Sequence, residues 1–117
     1  MRILGFSKKW EKLSQPEFTT FRFPRRDRDW EIGEVVQVYY KNRTPQREKL
    51  GEAEIIQKKL KLTGDATSDI TDSEAQADGF SDVRDMENWI MKAHGIRAIF
   101  RPINKLTLKR LRQELKV

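Results

Sequence analysis

Basic and aromatic side chains crowd two short stretches of this chain. Arg22, Arg25, Arg26 and Arg28 run up to Trp30, while Lys41, Arg43 and Arg47 follow Tyr39 and Tyr40. Guanidinium groups pair bidentately with phosphate, and an aromatic face stacks an unpaired base. If the two stretches are loops on one rim of a sheet, they would therefore read single-stranded RNA by shape rather than duplex grooves. Each ring also has a plainer role. Trp10, Trp30 and Tyr39 can equally be packing residues with exposed polar tips, and Trp89 reads as a core residue because it falls in the apolar stripe of a helix.

The charge balance points the same way. The chain carries +6 overall, but segment 63–90 holds eight of its 18 acids and one of its 24 bases, so the remainder is +13. If the acidic segment forms its own face, the rest presents a positive field that attracts phosphates. A charged surface kept for solubility is the alternative, and an acidic helix that meets a basic protein partner is another.

Several chemistries are excluded or unsupported. With no cysteine there is no thiolate nucleophile, disulfide or cysteine-bound zinc, and a reducing, cytoplasmic setting is expected. His94 is the single histidine, and it precedes Gly95 where a helix should end, a favourable place for an imidazolium. It has no second histidine, and the acids lack the spacing of a calcium or magnesium loop, so neither metal nor cofactor is expected. The apolar patch Ile3 to Phe6 is too short for a signal-peptide core, and no window is apolar enough to span a bilayer, so no membrane partner is expected.

A chain of 117 residues is the size of one domain, taken here as residues 1–117. Ile3, Leu4 and Phe6 predict a first strand, and Ser7 can cap a short helix carrying Trp10 and Leu13 until Pro16. Phe18 to Phe23 alternates, with Phe18, Thr20 and Arg22 on one face and Thr19, Phe21 and Phe23 on the other. The loop Pro24 to Trp30 leads to a strand after Gly33, and Asn42 to Gln46 is a second loop. Gly51 to Leu62 reads as a further strand with a lysine-rich exit.

After a polar linker, Thr63 to Asp69, Thr71 and Glu74 have capping-box spacing. Ser81 then precedes Val83, Met86, Trp89, Ile90 and Ala93 at helical intervals, up to Gly95. Ile103 to Leu108 predicts a closing strand, although Leu108, Leu111 and Leu115 also fit a basic helix; strand followed by short helix is preferred.

This order of elements resembles the ASCH domain, a PUA-like β-barrel with flanking helices that is associated with RNA. Two stretches carry the resemblance. The first is Phe18-Thr19-Thr20-Phe21-Arg22, a loop, and then Ile32-Gly33-Glu34-Val35-Val36. The second is Ala75-Gln76-Ala77-Asp78-Gly79-Phe80, which ends a short helix before a longer one. The resemblance implies an α+β fold: a PUA-like β-barrel of about five to six mostly antiparallel strands with flanking helices. It further implies a cleft lined by Thr20 and Arg22 and covered by the turn at Asp78, binding RNA or a nucleotide-containing ligand.

One branch of the family is similar to an acetylcytidine amidohydrolase that uses a lysine, a threonine and an acid. Matching the first motif through Arg22 puts the threonine on Thr20 and the lysine on Glu17, and the acid falls on Asp78. Thr20 and Asp78 would be the catalytic residues of a hydrolase acting on a modified nucleoside or on RNA. Glu17 reverses the charge where that enzyme has an amine, so no useful amidohydrolase activity is expected. In the plainer reading, Thr20 is a strand residue and Asp78 a helix-ending cap; in the cleft reading, Asp78→Asn should leave folding almost intact and alter ligand binding.

Overall fold

The structure, a computed structural model, describes residues 1–6, 10–62 and 69–111, without the side chains of residues 99 and 100. Ser7, most of the polar linker and the possible C-terminal helix lie outside the described residues. The described elements are β1 (Ile3–Phe6), a 3-10 turn (Glu11–Ser14), β2 (Glu17–Arg22), β3 (Val35–Tyr40), β4 (Glu48–Lys61), α1 (Asp72–Ala77), α2 (Val83–His94), a 3-10 helix (Ile96–Phe100) and β5 (Ile103–Arg110).

The strands form one curled, half-barrel sheet in the order β1-β3-β4-β5-β2. β1 runs parallel to β3, and the other three pairings are antiparallel. Period-2 alternation decides what each strand buries. Leu4 and Phe6, Val36 and Val38, Ala53 and Ile55, and Leu106 and Leu108 turn inward with Phe18, Leu13 and Trp30 to form the main core. β5 lies between β4 and β2, which is why Leu106 and Leu108 have no exposed surface.

β4 is longer than its apolar pattern alone predicts, and its register shifts between Ile55 and Gln57. The extra residue in this bulge is Ile56, whose side chain is turned outward. Beyond it, Lys58 pairs with Asp29 and Lys61 with Glu74.

The helices lie over β2 and β5 and bury a second cluster: Ile70, Ala75, Met86, Ile90, Ala98 and Ile103, with Phe21, Phe23, Phe80 and Val83 against it. α1 begins with the complete capping box. Thr71 Oγ1 accepts from the Glu74 amide, and the Glu74 carboxylate accepts from the Thr71 amide. It ends in a Schellman turn, with Phe80 N–H donating to the Ala75 carbonyl and Gly79 N–H to that of Gln76. Gly79 adopts φ +106, and a Cβ there would press to 2.6 Å from the Trp10 ring, so glycine is required twice over. The cap of α2 is Asp82, one residue beyond Ser81; Ser81 instead donates to the Asp85 carboxylate.

Candidate functional site: a cavity between the free sheet edges

β1 and β2 are the two edges of the sheet and are not neighbours in it. Where they face one another a cavity of about 430 Å³ opens, roofed by the Asp78-Gly79-Phe80 turn and by α2. Its walls are largely aromatic: Phe6, Trp10, Phe21, Phe23, Trp30, Phe80 and Trp89. Lys12, Thr20, Arg22 and Asp78 supply its polar groups.

Arg22 holds the edges together. Its Nη2 donates to the Gly5 carbonyl of β1 at 2.8 Å, its Nε to Thr20 Oγ1 at 3.2 Å, and its guanidinium lies 4.6 Å from the Phe6 ring centre. Burial lowers its pKa to about 10, against the attraction of Asp78, which leaves it charged at neutral pH. Thr20 is only 3% exposed. Its hydroxyl accepts from Arg22 and keeps its own proton to donate.

Lys12, from the 3-10 turn, enters the cavity from the other side. Its ammonium forms an ion pair with Asp78 and donates to the Thr19 carbonyl at 2.8 Å. Asp78 is 6% exposed, and its removal from water pushes the carboxyl up to about 6, against the attraction of Lys12 and Arg22. Burial likewise lowers Lys12, despite the favourable pull of Asp78. The pair is thus a buried donor and acceptor whose desolvation outweighs its mutual attraction.

Thr20, Arg22, Asp78, Arg25 and Trp30 all line this cavity. Trp30 is a wall and a core residue together, 3% exposed, with Arg25 over its ring at 5.5 Å. Arg2 lies over it at 4.5 Å and also grips the loop, pairing with Glu34 at 2.6 Å and donating to the Asp29 carbonyl at 3.0 Å. Arg26 and Arg28 are exposed outside the cavity, Arg28 near Glu34 at 3.6 Å.

Lys41 and Arg43 are not brought to the site. The arginine loop precedes β3 and the 41–47 loop follows it, so the two leave opposite ends of a strand roughly 17–20 Å long and do not form one rim. Lys41 stands over Tyr40 at 5.4 Å and Arg47 over Tyr39 at 4.6 Å; neither lines the cavity, although the Lys41 N–H donates to the carbonyl of Phe6, which does.

Three further corrections follow from the geometry. Glu17 is exposed on β2 opposite Lys109, outside the cavity, and the amine inside comes from Lys12, which no local pattern marks. Trp89 is not a core residue: it is 45% exposed at the mouth. Asp78 lines the cavity, but Asn in its place would leave the buried Lys12 ammonium uncompensated, so folding should not tolerate the exchange as the sequence reading expects. Among the described residues, no three His, Asp or Glu side chains converge as a metal site, and no helix is long and apolar enough to cross a membrane. No family model, curated protein or solved structure matches the chain.

Proposed function

We propose that this chain is a PUA-like module of the ASCH type that binds RNA or a nucleotide in the cytoplasm, taking one base into the cavity between β1 and β2. The observation that carries this reading is the pairing of aromatic walls with a buried set of donors and an acceptor. A flat heteroaromatic ring fits between rings, while Asp78 accepts from its N–H groups and Lys12, Arg22 and Thr20 donate to its oxygens and ring nitrogens. Arg25 at the mouth, with Arg26 and Arg28 beyond it, supplies attraction for phosphate.

The test is binding of nucleoside monophosphates and of short unstructured RNA, measured by calorimetry and by fluorescence anisotropy. RNA affinity is expected to fall at least tenfold between ~50 and ~200 mM salt as counterions are released. It should also fall when Arg25, Arg26 and Arg28 are replaced together by Glu. Lys12→Met combined with Asp78→Leu should abolish nucleotide binding without unfolding the protein. Unchanged affinity in that double variant would remove the cavity from the reading.

A second reading, hydrolysis of a modified nucleoside, is favoured by one observation: Lys12 supplies beside Asp78 the amine that Glu17 does not. Lys12 and Thr20 line the same cavity, and a Thr20 nucleophile, whose oxygen already accepts from Arg22, would need Lys12 to take its proton. Turnover of acetylcytidine that disappears in both Thr20→Ala and Lys12→Met would make this the primary activity.

A further inference from the structure

α2 buries Met86 and Ile90 in the core, yet the residue between them in the cavity lining, Trp89, leaves 45% of its surface in water. Exposing so much of an indole forgoes burial that the helix could otherwise have used. Trp89 is also the middle of a run of rings along the cavity wall. Trp10 and Phe80 are 5.8 Å apart, Phe80 and Trp89 5.8 Å, Trp89 and His94 6.3 Å, and His94 and Phe23 5.2 Å. The run ends under a cation, with the Arg101 guanidinium 4.7 Å from the Phe23 ring centre.

Resting on the base-binding reading above, we infer that Trp89 is a second stacking subsite, so that the ligand is a single-stranded polynucleotide rather than a free nucleotide. One base enters the cavity and its chain neighbour lies on the exposed indole face. The phosphate between them passes the mouth where Arg25 stands, and His94 and Lys92 close the last turn of α2. Charge complementarity selects this occupant over an apolar peptide or an acyl chain. Asp85 lies in the first turn of α2 and Glu87 in the second, whereas the last turn carries Lys92 and His94, close to Phe23 and the Arg101 guanidinium over it.

The experiment compares nucleoside monophosphates with homopolymeric RNA trimers and ten-nucleotide strands, on wild type, Trp89→Ala and Trp89→Phe. Anisotropy of labelled strands and calorimetry of the monophosphates give the affinities, and thermal unfolding checks that each variant is folded. A stacked base contributes on the order of 1–3 kcal/mol, so a trimer should bind wild type roughly ten times more tightly than the monophosphate. Trp89→Ala should bring the ratio of trimer to monophosphate affinity down to about one, whatever it does to the monophosphate itself, and Trp89→Phe should retain most of the gain. A trimer that gains nothing over the monophosphate, or a gain that survives Trp89→Ala, overturns the inference while leaving the one-base reading intact. Failure of monophosphates and strands alike to bind overturns both.

Discussion

Glu74 and Asp78 stand one helical turn apart at the two ends of α1, and each carboxylate meets a lysine, yet their protonation is pulled in opposite directions. Partial burial alone would raise Glu74, but hydrogen bonds from Lys105, the Thr71 amide and Lys61 outweigh it and hold the carboxyl down at about 2. At Asp78, deeper burial prevails over Lys12 and Arg22 and drives the carboxyl up to about 6. The difference lies in solvent access and in the number of donors, not in the residue types. Glu74 is a clamp: it caps its own helix and ties α1 to β4 and β5. Asp78 and Lys12 are held against a desolvation penalty in the lining of a cavity, as a recognition pair would be.

The sharpest way to break this contrast is to remove the partners singly and then together. Asp78→Asn or Lys12→Met alone should cost about 3 kcal/mol or more in urea unfolding, because either leaves a buried charge uncompensated. Replacing both, with Lys12→Met and Asp78→Leu, should recover most of that loss, since an apolar pair of similar size avoids the desolvation. A double variant as unstable as the sum of the singles would mean that the pair is structural, as Glu74 is.

A smaller effect is expected at the clamp. Glu74→Gln keeps the capping box, which tolerates glutamine, but loses the charge that holds Lys61 and Lys105. It should cost about 1 kcal/mol in the same measurement and leave nucleotide affinity unchanged. Altered affinity in this variant would extend the site across the outer face of the sheet.

The smallest effect is a difference in slope. The folded pKa of Asp78 lies above its ordinary value of 3.8, so its contribution to stability is complete below about pH 4 and is lost as pH rises through about 6. The folded pKa of Glu74 lies below its ordinary 4.5, so its contribution is present above that pH and is lost as pH falls toward 2. Unfolding free energies taken between pH 3 and 7 should therefore lose their decline above pH 4 in the Lys12→Met, Asp78→Leu protein. In Glu74→Gln they should lose part of the drop on the acid side. Identical profiles in both variants and wild type would count against the opposition of the two carboxylates.

What the sequence determined by itself is local. The alternation of Phe18, Thr20 and Arg22, the β-branched run at β3, the Thr71 and Glu74 cap and the stop at Gly95 each act within a few residues, where backbone geometry and solvent preference leave little choice. The second motif also marked the turn at Asp78 for the same reason: Gly79 must supply a positive φ. Only the tertiary structure decided which side chains share the cavity. The strand order leaves β1 and β2 as facing free edges, and it puts the two basic loops at opposite ends of β3. A single apolar stripe could not tell that Met86 and Ile90 face the core while Trp89 faces the cavity mouth. Lys12 lies 66 positions from the carboxylate it meets, in a turn whose sequence favours nothing in particular. Its role arises from chain crossing and desolvation, and neither is a property of neighbouring residues.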